Sequence, residues 1–214
     1  ILDFAWAADK DFSVESFIVP DGPKVYFVYQ KSDKTKYWGE AQPYITKYYQ
    51  LMNANFGRYI YPTYNFVQGG DGGMEYGMCT MILGEAKNLE DLLGLMIHEG
   101  SHSWYQQILA TNESTKPWLD EGFTNYAEDY VMHALFPKEN MPNPFYNAIQ
   151  FYAKFNKTGR EEPAVWLADH HDNGTAYTVA SYTKGELFLV QLGYIVGEEN
   201  LTKILKKYYN DWAL

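Results

Sequence analysis

Residues 96–104 (MIHEGSHSW) hold the groups of this 214-residue chain whose types and spacing best suit chemistry. On a helix, His98 and His102 lie one turn apart on one face, so their imidazoles can bind one metal ion. Glu99 can then reach a metal-bound water without being a ligand itself. The alternative is a surface helix that happens to carry two histidines. The apolar residues around the motif argue against it, because they predict a buried helix in which imidazoles need partners.

A third metal ligand is expected on the next helix, since a zinc site that does chemistry uses three protein ligands and keeps one position open. Glu121 lies nineteen residues after His102 and fits that place. Asn125 and Glu128 follow on the same helical face and are predicted to orient a ligand imidazole. The alternative for Glu121 is a first-turn acid that stabilises the helix dipole. Beside the histidine pair, we favour one zinc ion bound by His98, His102 and Glu121.

Other segments extend this pattern into a family resemblance. The histidine motif, followed by residues 118–123 (WLDEGF), resembles the gluzincin metallopeptidases of the aminopeptidase N and leukotriene hydrolase family. Residues 72–76 (GGMEY) are similar to the family's Gly-x-Met-Glu-Asn motif, and residues 182–185 (YTKG) to its Tyr-x-Lys-Gly segment. Residues 3–8 (DFAWAA) are similar to the start of the family's catalytic domain. The resemblance therefore covers nearly the whole chain.

The resemblance implies a thermolysin-like metalloprotease catalytic domain that hydrolyses the amino-terminal peptide bond of peptides. Glu99 would be the general base, and Tyr182 would stabilise the negative charge developing on the substrate carbonyl oxygen. Core packing is the alternative for Tyr182, and Tyr177 is a second candidate for its role. The family's preceding β-domain and following helical domain are absent from this sequence. We therefore expect a fragment of a longer parent chain that has flanking domains.

The resemblance also assigns residues 72–75 to the substrate amine. Glu75 would bind the positively charged amino terminus, within a segment formed with Gly72, Gly73 and Met74. Tyr76 departs from the family pattern, which has Asn at this place, and so alters the amine-binding loop. An ordinary strand glutamate is the alternative for Glu75. The expected partner is a peptide with a free amino terminus.

Two other functions stay open at this point. A zinc endopeptidase would use the same chemistry, with Glu75 only structural. A catalytically weak, zinc-stabilised domain would serve interaction instead, although the intact Glu99 and Tyr182 argue against it. Epoxide hydrolysis, known in one branch of the family, has no separate support in these residues.

Composition excludes further classes. The formal net charge is −10, from 17 basic and 27 acidic residues, so the chain lacks the basic footprint of a nucleic-acid-binding protein. No uncharged apolar run is long enough to span a bilayer. Cys79 is the single cysteine, which excludes an intramolecular disulfide, and it is expected to be a buried apolar residue. His133 is expected to be packed or exposed on its helix, and His170 and His171 to be solvated loop residues.

The elements that must position these residues follow from hydrophobic spacing and turn residues. Strands are predicted over 24–30, 59–67 and 74–83, and helices over 35–56, 89–109, 118–136, 143–156, 177–196 and 199–212, with Asn88 as an N-cap and 157–176 irregular. Strands come mostly first and helices follow, which predicts an α+β fold. A β-rich lobe over residues 1–88 and a helical lobe over 89–214, with the zinc site between them, would form one catalytic domain.

Overall fold

A five-stranded mixed sheet and seven α-helices form the regular structure in the computed structural model, which describes residues 2–70 and 72–213. The strands are β1 (Phe12–Ile18), β2 (Lys24–Gln30), β3 (Thr63–Gln68), β4 (Gly73–Tyr76) and β5 (Cys79–Ile82). The helices are α1 (Gln42–Asn55), α2 (Leu89–His102), α3 (Pro117–Leu135), α4 (Tyr146–Asn156), α5 (Gly174–Thr178), α6 (Lys184–Val196) and α7 (Glu198–Trp212).

The sheet ends in β4, the strand that carries Glu75. Its strand order is β1-β2-β3-β5-β4. β1 and β2 form an antiparallel hairpin, β2, β3 and β5 pair in parallel, and β4 returns antiparallel to β5. The turn before β5 places Met78 in the left-handed region, with φ of 59°. β4 is therefore an edge strand, and it packs against α2, the helix of the histidine motif.

Aromatic side chains hold the histidine motif of α2 in position between the sheet and α1. Tyr48 and Tyr49 of α1 and Trp104 after α2 are fully buried and pack against one another. The Trp104 Nε1 donates a hydrogen bond of 2.7 Å to the carbonyl oxygen of Gly57, just beyond the end of α1. A buried indole N–H needs such a partner. This bond therefore ties the end of the motif to the core.

Two π-helical turns interrupt helices that the sequence predicts as continuous. Ser103–Ile108 follows α2 within the predicted helix over 89–109, and Val179–Thr183 divides the predicted helix over 177–196. The wider turn of a π-helix changes the direction of the side chains that follow it. His102 is the last residue of α2 and Tyr182 lies in the second π-turn, so both departures occur at residues with predicted roles.

Three further helix or strand boundaries predicted from the sequence were wrong, for reasons that the structure shows. The predicted helix over 35–56 is a 3₁₀ helix, Asp33–Glu40, followed by α1, whose first turn contains Pro43. The predicted strand over 59–67 begins at Thr63, because Pro62 has no amide proton to donate to a ladder. The predicted strand over 74–83 is the hairpin of β4 and β5.

The predicted α+β class is confirmed, since every strand lies within residues 12–82 and the helices from α2 onward follow. The stretch predicted as irregular, 157–176, is mostly so, but α5 already begins at Gly174. The division into lobes at residue 88 stays a prediction. Among residues 2–70 and 72–213, no helix is both long enough and apolar enough to cross a membrane.

Candidate metal centre and active site

Helix α2 brings the two motif histidines together. Asn88 caps its start by accepting a hydrogen bond of 2.8 Å from the Asp91 amide, as predicted. One turn before the helix ends, His98 packs edge-on against His102, and their Nε2 atoms lie 3.4 Å apart. His102 is fully buried and His98 nearly so. Both Nε2 lone pairs therefore face the same small space.

Glu121, just after the first turn of α3, completes a triangle of donor atoms. Its Oε2 lies 3.5 Å from His98 Nε2 and 3.4 Å from His102 Nε2. Ligands about 2.0–2.1 Å from a tetrahedral zinc ion are separated by about 3.3–3.4 Å from one another. This oxygen is also buried without a hydrogen-bond partner. The three side chains therefore fit a zinc ion by spacing and by donor type.

Carboxylates hold the outer nitrogen of each imidazole. His98 Nδ1 lies 2.9 Å from Glu128 Oε2, and His102 Nδ1 lies 2.6 Å from Asp120 Oδ1. These contacts place the imidazole proton on Nδ1 and leave Nε2 free to bind a metal. The spacing in the sequence had suggested Glu128 for such a role, whereas Asp120 was missed.

Asn125 does not take the place that the sequence suggested for it. Its side chain lies close to the carboxyl of Glu186 on α6, whereas the outer nitrogens of the two imidazoles are contacted by Glu128 and Asp120. Asp120, directly before Glu121, faces His102 instead. The signal for it was an acidic residue beside the ligand, which spacing alone could not distinguish from a first-turn acid.

The electrostatics of the triangle favour a positive charge at its centre. Burial alone would lower the pKa of His98, but contacts with Glu121 and Glu128 outweigh it and raise that pKa to about 10. The pKa of His102 is raised as well, because Asp120 and Glu121 outweigh its burial. Burial acts to raise the pKa of Glu121, yet both histidines hold it far below its ordinary value. The carboxylates around the triangle therefore favour a positive charge there, which a bound metal ion would supply.

Glu99 lies beside the triangle and is pressed against β4. Its side chain is 7% exposed, and burial raises the pKa of its carboxyl. Gly73 is the contact point on β4, because a Cβ there would meet Glu99 Oε1 and would lie 2.8 Å from Leu95 Cδ1. A glycine at this position therefore leaves the space in which the Glu99 carboxylate sits.

Tyr182 reaches the triangle from the opposite side. Its hydroxyl donates a hydrogen bond of 2.6 Å to Glu121 Oε1, and its ring stacks on His98 with centroids 6.0 Å apart. Burial and the nearby Glu121 raise the pKa of this hydroxyl, so it stays protonated and can donate. Tyr177 packs edge-on against Tyr182 and His171 and has no comparable contact with the ligands.

Two motif glycines set the position of Tyr182 relative to Glu121. Gly122 and Gly185 meet where α3 crosses the start of α6, and a Cβ on Gly185 would lie 2.7 Å from both Gly122 Cα and the Trp118 carbonyl oxygen. Only glycine allows two helix backbones to approach so closely. The crossing thereby holds the ligand helix and the tyrosine segment at a fixed separation.

Glu75 projects from the edge strand β4 toward His102. It is 6% exposed, its Oε1 lies 3.9 Å from His102 Nδ1, and burial raises its pKa to about 7. Met74 is 40% exposed and Tyr76 is half-buried on the same strand. Gly72 has open space where a Cβ would lie. The structure therefore brings Glu75 to the site, with Gly73 and Met74 beside it.

The other histidines and the cysteine lie outside the triangle. Two of the predictions about their exposure to solvent were wrong. His171 is buried, with Nδ1 2.6 Å from Glu162 Oε2, because residues 161–171 fold back on themselves. Cys79 is only half-buried, at the start of β5, and burial raises its pKa to about 11. His170 is exposed, as predicted, and His133 is partly buried on α3.

Residues 43–214 match the family model described as the peptidase family M1 domain. The chain belongs to peptidase family M1. Aminopeptidase B of Mus musculus is 27% identical over 186 residues, which are 79% of this chain and 26% of that relative. Leucine aminopeptidase 2 of Chaetomium globosum is 26% identical over 153 residues, or 66% of this chain and 24% of that relative. The M1 chain thus spans about a quarter of the length of these curated relatives.

Solved structures of the family share this fold. A mutant M1 zinc metallopeptidase of Deinococcus radiodurans, bound to a Tyr-Ser-Ala substrate, superposes with a TM-score of 0.73 at 17% identity, over 94% of this chain and 45% of that chain. Yeast LTA4 hydrolase superposes with a TM-score of 0.72 at 21% identity, over 94% of this chain and 33% of that chain. The family resemblance inferred from the sequence is therefore confirmed, and the α+β fold matches these M1 structures.

Proposed function

We propose that this M1 chain is the catalytic domain of a zinc aminopeptidase, with zinc bound by His98, His102 and Glu121. The observation that carries the proposal is the triangle of three donor atoms, 3.4–3.5 Å apart, with each imidazole held at Nδ1 by a carboxylate. The names of the relatives, aminopeptidase B and leucine aminopeptidase 2, support the same reaction class.

The chemistry divides among the zinc ion and the side chains of Glu99 and Tyr182. Bound zinc would polarise the scissile carbonyl and lower the pKa of a water molecule. Glu99 accepts a proton from the attacking water and passes it to the leaving amine, a role that suits a carboxyl whose pKa is raised by burial. Tyr182 donates a hydrogen bond to the carbonyl oxygen as negative charge develops there. Its position against Glu121 keeps the hydroxyl at the ligand triangle.

Glu75 makes the proposed enzyme an exopeptidase. A buried carboxylate beside the ligand triangle favours a substrate that brings its own positive charge, and the amino terminus of a peptide does so near neutral pH. An internal peptide bond offers no such charge. The edge strand β4 can also pair with an extended substrate backbone and so align it.

One experiment tests the reaction class. Zinc content is measured by atomic absorption, and hydrolysis is followed for two matched peptides, one with a free and one with an acetylated amino terminus. We expect one zinc ion per chain and cleavage of the free peptide alone. Cleavage of both peptides would instead identify an endopeptidase. Zinc without any cleavage would identify a domain that is only stabilised by its metal.

The greater length of the relatives supports a further proposal, which concerns the whole protein. Because this chain spans about a quarter of them, we infer that it acts beside flanking domains of a longer parent chain. Such domains would close the cleft around the ligand triangle, and exclusion of water strengthens each electrostatic contact within it.

A further inference from the structure

Three carboxylates lie together on the Nδ1 side of His102. Each of Glu75, Glu113 and Asp120 places one oxygen within 4.8 Å of the other two. Glu75 and Asp120 are buried, whereas Glu113 is exposed and lies at the rim. Carboxylates so close together repel one another unless a positive charge is shared among them.

This cluster is poorly neutralised by the chain itself. Within residues 2–70 and 72–213, no Lys or Arg nitrogen lies within 4.0 Å of any of the three carboxylates. Its neighbouring cation is His102, whose Nδ1 lies 2.6 Å from Asp120 and 3.9 Å from Glu75. Asp120 is occupied by that imidazole, so Glu75 and Glu113 are left facing each other.

A buried acceptor lies beside Glu113. Gln106, in the π-turn after α2, is 5% exposed, and its Nε2 donates a hydrogen bond of 3.0 Å to Glu113 Oε2. The other end of this carboxamide, Oε1, is buried and has no hydrogen-bond partner. A buried acceptor without a donor costs free energy, and its presence beside two carboxylates indicates a ligand that brings N–H donors.

The segment that carries Glu113 is held in place before any ligand arrives. The Lys116 amide donates a hydrogen bond of 2.9 Å to the Asn112 carbonyl oxygen, which closes a turn around Glu113. The Ala168 amide donates one of 3.0 Å to the carbonyl oxygen of Ser114. The Glu113 side chain therefore starts from a fixed backbone, which reduces the entropy lost when it binds a ligand.

We propose that Glu113 is a second carboxylate for the substrate's amino terminus, acting beside Glu75. An ammonium group has three N–H donors; Glu75 and Glu113 supply two carboxylate acceptors close together, and the unpartnered Oε1 of Gln106 lies beside Glu113. This inference rests on the proposed aminopeptidase function. It adds that the chain provides a two-carboxylate amine subsite from its own residues, and that Glu113 contributes to the selection of free amino termini.

The test measures binding apart from hydrolysis. The zinc-loaded protein carrying Glu99→Gln is titrated by calorimetry with the dipeptide Leu-Leu and with its N-acetyl derivative. Glu113→Gln, added to that background, keeps an acceptor and the size of the side chain but removes the charge. Glu40→Gln, at an exposed position remote from the site, is the matched control. Zinc content and melting temperature show that each variant is folded.

We expect Glu113→Gln to weaken binding of the free dipeptide about fivefold or more, because a charge-assisted hydrogen bond is lost. Binding of the acetylated dipeptide should not change, and Glu40→Gln should change neither. If Glu75→Gln weakens the free dipeptide and Glu113→Gln does not, the inference is overturned while the aminopeptidase proposal stands. If the parent site binds both dipeptides equally, both are overturned.

Discussion

The carboxylates that hold the two ligand imidazoles lie in different surroundings. The Glu128 side chain, which contacts His98, is 27% exposed, whereas that of Asp120, which contacts His102, is 2% exposed. Water can therefore replace part of the hydrogen bonding that Glu128 provides to His98. Water does not reach Asp120 and so cannot replace its hydrogen bond to His102. At the scale of single residues, Asp120 should therefore control metal affinity more strongly than Glu128.

We expect Asp120→Asn to lower zinc affinity by about 10- to 100-fold, the usual cost of removing a carboxylate that holds a ligand imidazole. Glu128→Gln, the matched change at the exposed partner, should lower it by a smaller factor. Competition with a chromophoric chelator measures both affinities. An equal loss in the two variants would show that burial does not separate their contributions.

The roles of Glu99 and His102 separate in the same way. Glu99→Gln should keep one zinc ion per chain and lose nearly all hydrolysis, since it removes the proton acceptor alone. His102→Ala should lose zinc and hydrolysis together, since it removes a ligand. Metal analysis and rate measurements on both proteins decide this. Comparable zinc loss in the two would mean that Glu99 helps to bind the metal.

The spacing of residues in the sequence predicted the donor triangle, because residues on one face of a helix keep a fixed geometry. His98, His102 and Glu121 needed only that rule and the preference of zinc for three protein ligands. Gln106 and Glu113 could not be predicted by it, because the π-turn after α2 redirects the side chains that follow. That turn depends on tertiary packing around Trp104, which no local pattern reveals.

The packing of β4 on α2 decides where the proposed general base lies. Gly73 meets the Glu99 side chain directly, whereas a Cβ on its neighbour Gly72 would have nothing within 4 Å. The hydrophobic spacing predicted α2 and a single strand over 74–83, which the structure divides into β4 and β5, and Asn88 predicted where α2 begins. The sequence did not show that Gly73 faces α2 whereas Gly72, just before β4, faces open space, since that depends on how the strand lies across the helix.

At this scale of elements, Gly73→Ala should displace the Glu99 carboxylate and lower kcat/KM by about 100-fold, as misplacement of a reacting group by about 1 Å does. Zinc content should not change, because the three ligands lie elsewhere. Gly39→Ala, at another position where an added Cβ would have nothing within 4 Å, is the control and should leave both quantities near their original values. Equal rates in the two variants would show that the contact between Gly73 and Glu99 is not tight.

Across the whole molecule, acidic residues outnumber basic ones, and some of the acidic side chains are buried. Glu186 on α6 is 2% exposed and lies close to Asp129 on α3. Burial and the neighbouring Asp129 raise the pKa of the Glu186 carboxyl well above that of an unfolded chain. The folded state therefore favours the protonated form, and its stability falls as pH rises from the unfolded toward the folded pKa.

Glu186→Gln should accordingly raise the free energy of unfolding by about 1 kcal/mol or more at pH 8, since each unit of pKa shift corresponds to about 1.4 kcal/mol. The gain should be much smaller at pH 5, where the native carboxyl is already protonated. Urea unfolding at both pH values measures this, with Glu40→Gln as the control for a surface charge. A gain that does not depend on pH would contradict the raised pKa of the Glu186 carboxyl.

The contact between Gly122 and Gly185 has a consequence for how this domain tolerates sequence change. The separation between the backbone segments that carry Glu121 and Tyr182 is set by direct backbone contact at Gly122 and Gly185, so no side-chain rotamer sets the distance there. Mutations on the outer face of α6, such as at Tyr194, which is 91% exposed, are thereby uncoupled from the chemistry. That face is free to diverge, or to be redesigned, while the ligand and the tyrosine keep their distance.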